Sequence, residues 1–146
     1  MIMIRIGSEE AFVKISIIGY EFPDMGNGQY DSNWLEFNAE IQTPDYSGSA
    51  RSRGFVRSEE LLQFKDYLRK CLDDELHNET FVFLDGTLEI KCMKGKEDLI
   101  ILIELSGELV PEGMDSQYYS VKINTDSNNI EETMRQLENT YERFPC

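Results

Sequence analysis

From Trp34 to Thr43 apolar and polar residues alternate without a slip. Leu35, Phe37, Ala39 and Ile41 fall on one side of an extended chain, and Trp34, Glu36, Asn38, Glu40 and Gln42 on the other. Successive side chains of a strand point to opposite faces, so this pattern specifies an antiparallel strand with one face in a core and one in water. The segment before it is of the same kind. Ala11 to Phe22 is β-branched and aromatic, with Val13, Ile15 and Ile17 on one side. Gly19 marks a bulge in that strand, Pro23 ends it, and Asp24 to Gly28 supplies turn residues that open a loop to Asn33. After a turn at Pro44 to Gly48, Ser49 to Arg57 reads as a third strand, whose Arg51, Arg53 and Arg57 are placed to pair across the sheet with Glu36 and Glu40.

The period then changes. Ser58 suits an N-cap, and Glu59 and Glu60 suit the positive end of a helix dipole. Leu61, Phe64, Leu68, Cys71, Leu72 and Leu76 recur at helical spacing, which predicts a helix over 59–76. Thr80 to Leu84, Asp85-Gly86 and Thr87 to Cys92 read as a hairpin, because Asp-Gly favours a two-residue turn. Leu99 to Leu105 is nearly all apolar and predicts a central strand covered on both sides, and Gln117 to Asn124 is another alternating strand. Asn128 with Glu131 resembles a capping box, and Ile130, Met134, Leu137, Tyr141 and Phe144 form one apolar stripe of a terminal helix. Its other face carries Glu131, Glu132, Glu138 and Glu142. The order βββαββββα describes one α+β domain over 1–146, with a curved, mainly antiparallel sheet of about six to seven strands and two helices.

Several classes of function are disfavoured. A nucleophile–histidine pair needs a histidine, and the one present, His77, follows the predicted helix with no cysteine or second histidine at ligand spacing. Gly26-Asn27-Gly28 lacks the strand–turn–helix context of a phosphate loop, and Asp24 to Asp31 departs from the calcium-loop spacing. No catalysis, metal or cofactor is expected. The longest apolar run is strand-sized and nothing near Met1 reads as a secretory segment, so no membrane span and a cytoplasmic location are expected. Cys71, Cys92 and Cys146 are odd in number and widely spaced, and are read as free thiols, with Cys71 and Cys92 filling the core.

Charge is the strongest compositional signal. Against 14 bases stand 28 acids, a formal net charge of −14. That field repels nucleic acid and anionic lipid and attracts a basic partner. The excess grows along the chain, from eight acids against five bases in residues 1–57 to eleven against six in 58–98 and nine against three in 99–146.

One stretch is more specific than composition. Ile15-Ser16-Ile17-Ile18-Gly19-Tyr20-Glu21-Phe22-Pro23-Asp24, followed by Tyr30-Asp31-Ser32-Asn33-Trp34-Leu35, resembles the opening of the WapI family of bacterial immunity proteins, an I-x-G-Y-x-F-P strand and then Y-D-x-N-W-L. Beyond it the likeness lies in the order of elements. The resemblance implies a protein that binds the C-terminal effector domain of a cognate secreted toxin, such as one attacking tRNA, and neutralises it by occlusion. Within the motif, Gly19, Pro23, Asp31 and Asn33 are read as shaping the bulge and turn. The candidate partner-binding residues are Trp34, Glu36 and Glu40 on the polar face of one strand, and Glu131, Glu132, Glu138 and Glu142 on the terminal helix. Trp34 beside carboxylates resembles an interface anchor, although burial under a helix gives the same pattern. The competing reading is an adaptor or scaffold domain whose acidity serves only solubility.

Overall fold

The computed structural model describes residues 2–20, 34–76, 78–83, 86–95, 97–111, 113–114 and 116–145, and of 49–55 it describes the backbone. Among these residues the chain runs β1 (Ile2–Gly7), β2 (Phe12–Tyr20), β3 (Trp34–Thr43), β4 (Tyr46–Arg57), α1 (Ser58–Leu72), β5 (Phe81–Val82), β6 (Leu88–Lys94), β7 (Leu99–Ser106), β8 (Tyr118–Thr125) and α2 (Ser127–Arg143). The α+β class, the two helices and the antiparallel pairing agree with the sequence. The strands divide into two four-stranded sheets, β1-β2-β3-β4 and β5-β6-β7-β8, rather than forming one. Helix α1 interrupts the run of strands, and β8 then crosses the end of the first sheet. Its Tyr119 ring lies 5.5 Å from that of Tyr46 in β4, and its Thr125 hydroxyl donates to the Gly7 carbonyl of β1 at 2.8 Å.

Strand β1 was not anticipated, although Ile2, Ile4 and Ile6 alternate. They pair with Ile17, Ile15 and Val13 of β2. Gly7 joins the two strands at φ +128, where an added Cβ would lie 2.5 Å from the Ala11 carbonyl oxygen. Only glycine fits such a turn. The register shift between Ile17 and Gly19 is the expected bulge. It turns Ile18 into solvent and returns Tyr20 to the ladder opposite Leu35. Phe22, Pro23, the turn from Asp24, Asp31, Asn33, His77, Asp85 and Cys146 lie outside the described residues, as do the side chains of Arg51 and Arg53.

Being first, β1 exposes one edge of its sheet, and an open edge invites pairing with other chains. The last helix closes it. The Arg5 N–H donates to Gln136 Oε1 at 2.8 Å, and the Thr133 hydroxyl donates to the Arg5 carbonyl at 2.6 Å. Helix α2 starts two residues earlier than the capping-box reading implies. Asp126 is the N-cap, its carboxylate accepting from the Asn129 N–H at 2.8 Å. The expected stripe is buried at Ile130, Met134 and Leu137, with Tyr141 and Phe144 partly covered.

Helix α1 is likewise capped one residue before Ser58, by Arg57, whose N–H donates to Glu60 Oε1 at 2.9 Å. It ends at Leu72, short of Leu76. Asp74 adopts φ 60, the Asp74 N–H reaches the Cys71 carbonyl at 3.2 Å, and the Glu75 N–H reaches the Lys70 carbonyl at 2.8 Å. This pair of bonds is a Schellman closure, and the left-handed residue at its centre cannot continue the helix. Leu61, Phe64 and Leu68 enter one core shared by both sheets and both helices, in which Phe64 packs on Phe81, Phe83 and Tyr67.

The second sheet departs from expectation at β7. Leu99, Ile101, Ile103 and Leu105 are buried, but Ile100, Leu102 and Glu104 stay half-buried on the opposite face. Leu102 lies between Lys91 and Lys122 in the ladder. Lysine stems cover apolar surface while their charges stay in water, so the strand needs one packed face rather than two. The two strands pair as a hairpin, but not through the expected two-residue turn: the Phe83 N–H donates to the Leu88 carbonyl at 3.2 Å, Gly86 takes φ +78 and donates to the Phe83 carbonyl at 2.8 Å, and β5 keeps only two residues of ladder.

The cysteine reading is corrected. Cys71 and Cys92 are both buried, as expected, but they form a disulfide between α1 and β6 with Cα atoms 6.3 Å apart. Their separation of 21 residues signals nothing until the hairpin folds back beside the helix. The same joint is tied by Tyr67, whose hydroxyl donates to the Glu79 carbonyl at 2.8 Å and accepts from the Cys92 N–H at 2.9 Å.

Two outcomes follow from these contacts. Thr133→Val keeps the shape but leaves the Arg5 carbonyl without its donor, and denaturant unfolding is expected to show a loss of about 1–3 kcal/mol. Tyr67→Phe is expected to lose a similar amount, and it also changes the alkaline limb. Burial, followed by the Glu79 carboxylate, pushes the Tyr67 phenol above its ordinary pKa, so the folded state holds this proton more tightly than the unfolded chain. That contribution is complete below the ordinary tyrosine range and disappears as pH rises through the elevated value. Urea unfolding at about pH 8 and pH 11 should therefore show a larger alkaline loss in the wild type than in Tyr67→Phe; equal losses would contradict it.

Candidate partner interface

The seven candidate residues lie on two elements, and the structure connects them through cations. Across the polar face of the first sheet, Arg5, Lys14 and Glu40 form one cross-strand row. Glu40 pairs with Lys14 at 3.1 Å. In register, Ser49 stands opposite Glu40 and Arg51 opposite Asn38, and the side chains of Arg51 and Arg53 lie outside the described residues. At the other end of the row, Arg5 donates to Asn129 Oδ1 of α2 at 3.2 Å. Trp34 is half-buried and Arg57 stacks over its ring, 5.8 Å from the centroid. Arg57 is also salt-bridged to Glu59. This face therefore mixes both signs of charge.

The four glutamates of α2 also separate. Glu131, Glu138 and Glu142 are spaced by seven and four residues and share one line of the helix, whereas Glu132 sits about a quarter turn round, toward β1. Glu132 is held by Arg135 and accepts from Gln136 Nε2 at 3.3 Å. These partners, Arg135 first, lower its carboxyl below the usual range, with Arg5 adding a smaller pull. Glu138 pairs with Lys65 of α1 at 3.1 Å, an exposed contact worth at most about 1 kcal/mol. Glu131 and Glu142 are exposed and have no ion pair among the described residues.

A further concentration of acid was not found from the sequence, because three distant turns create it. The end of α1 supplies Asp73, Asp74 and Glu75, the β6–β7 turn supplies Glu97 and Asp98, and the entry to α2 supplies Asp126. Glu97, Asp98 and Asp126 line a surface depression of about 390 Å³ floored by Leu72 and Leu99. Lys94, which also lines it, is paired with Asp74 at 3.6 Å. The rising acid count beyond residue 58 was the signal available, but it carries no position.

Among the described residues no group of three or more histidine, cysteine or acidic side chains is arranged to hold a metal, and no helix is long and apolar enough to cross a membrane. The arrangement offers charged and half-buried surface for a macromolecular contact. A pH titration followed by NMR should find the Glu132 carboxyl titrating low, and Arg135→Ala should return it upward. Its stabilising contribution is present above the ordinary glutamate range and is lost as pH falls through the depressed value. An unchanged titration in Arg135→Ala would refute the pairing.

Compared with known proteins, residues 2–145 match a family model described as the immunity protein WapI-like family. No curated protein and no solved structure matches the chain.

Proposed function

We propose a function for this chain, which belongs to the immunity protein WapI-like family: it neutralises a cognate toxin by binding the toxin's effector domain and blocking it sterically, without chemistry of its own. The observation that carries this reading is the family match over 2–145. The net charge of −14 supports a cationic partner, since opposite fields accelerate encounter and suppress wrong partners. A nuclease domain fits, because a surface that attracts phosphates also attracts an acidic inhibitor. The protein acts in the cytoplasm of the cell that makes the toxin.

The contact surface in this reading draws on the acidic line of α2 and the acidic end of the molecule. Glu131 and Glu142 present accessible charge, while Glu132 and Glu138 already hold cations of their own chain. Trp34, Glu36 and Glu40 form a second candidate patch on the mixed-charge face of the first sheet.

Co-expression with the toxin domain encoded beside this gene should restore growth of a sensitive host, and the purified pair should associate more slowly as salt rises from about 50 to 500 mM. Failure to protect against that toxin would refute the immunity reading; an association rate indifferent to salt would remove electrostatic steering from it. The double variant Glu131→Lys/Glu142→Lys should slow association roughly 10-fold at low salt with an unchanged circular dichroism spectrum. An unchanged rate would take this helix line out of the encounter surface.

A further inference from the structure

We infer that Cys71 and Cys92 form a reversible redox tether, whose closure pins the segment between α1 and β6 and whose opening frees that segment while the rest of the fold persists. The disulfide joins the last turn of α1 to the middle of β6 and encloses the connection that follows the helix, β5 and half of β6. Between Asp73 and Thr80 the described residues form no helix or strand, and Asp74 and Asn78 take φ of 60 and 69. The β5 ladder that follows has two residue pairs. A link across so loosely structured a loop restricts mainly that loop, because the entropy it removes is the loop's own.

The surroundings suit both states. A depression of about 290 Å³ reaches the two cysteines past Asn78, Met93 and Lys94, giving a small thiol or disulfide a route to them. With the bond open, two thiols pack as small apolar groups. Tyr67 still bonds the Glu79 carbonyl and the Cys92 N–H, Phe83 stays in the core, and the ladders of β6, β7 and β8 do not involve the sulfurs, so the stretch that opening frees is 73–78. Closure breaks two S–H bonds and forms one S–S bond. The two electrons and two protons pass to a low-molecular-weight disulfide, which leaves as two thiols after exchange through a mixed disulfide with one cysteine. A disulfide in a cell interior is ordinarily transient or redox-sensing, which is the behaviour assigned to this pair.

The full chain, equilibrated with either oxidised or reduced glutathione, is denatured without reductant and alkylated. For Cys146→Ser no reactive thiol is expected after oxidation and two after reduction, and its oxidised form should gain no glutathione in intact mass, whereas two mixed disulfides would add two; in the wild type Cys146 adds one thiol after reduction and one thiol or one glutathione after oxidation. Hydrogen exchange of the folded samples should then show peptides within residues 73–78 exchanging about 10-fold faster when reduced, with β1, β2 and α2 unchanged. Three reactive thiols after oxidation, or loss of the bond in Cys146→Ser, would overturn the pairing. Acceleration spread over the whole chain, or absent from 73–78, would overturn the local tether. The exchange comparison uses wild-type protein in both states, so it does not depend on whether Cys71→Ser folds.

Discussion

The first strand of this protein is completed by its last helix, and much of the architecture depends on that closure. β1 has a ladder partner only in β2, and its outward N–H and carbonyl at Arg5 are met by Gln136 and Thr133 of α2. The Gly7 carbonyl is met in turn by Thr125 of β8. Groups more than 110 residues apart in the chain thereby satisfy one another in a largely dry setting, where an unmade hydrogen bond costs more than a formed one returns. With α2 held there, its stripe of Ile130, Met134 and Leu137 covers the core shared by both sheets, and α1 packs alongside it. The same closure removes an edge on which another chain would pair.

The charge is distributed in a way that total composition conceals. On the polar face of the first sheet Arg5 and Lys14 stand between Glu132 and Glu40, so that face is balanced. Among the described residues, acid gathers on one line of α2 and around the depression lined by Glu97, Asp98 and Asp126. A partner drawn by the long-range field would meet these regions first. A fold held by apolar packing and local hydrogen bonds carries such a field because few of its acids are asked to stabilise it. Glu60, buried at the start of α1 where it accepts the Arg57 N–H, and Asp126, which caps α2, are among those that do.

The joint between α1 and the second sheet is built differently from the rest. Phe64, Tyr67, Phe81 and Phe83 form an aromatic cluster there, and Tyr67 bonds to both sides of it. Beyond this cluster the connection is stabilised mainly by backbone turns and by the sulfur link, which is why the redox state of two residues has so localised a reach.

Wherever the pattern is local, the sequence by itself determined the outcome. Alternation in β3, helical spacing in α1 and α2, the glycine at the β2 bulge, the pairing of β5 with β6 and the excess of acid were all legible, because each depends on neighbours within a few residues. The resemblance carried by residues 15–24 and 30–35 pointed to the family that the match over 2–145 establishes. What tertiary structure decided required groups distant in the chain to meet. The division into two sheets follows from where α1 and β8 cross the first sheet. The Cys71–Cys92 bond needs β6 beside α1, and β1 becomes a stable strand only with α2 along its edge. The partners of Glu40, Glu132 and Glu138 were set by register and helix packing. A side chain's periodicity tells which way it faces, but long-range contacts, whose loop-closure entropy no local pattern encodes, decide what it faces.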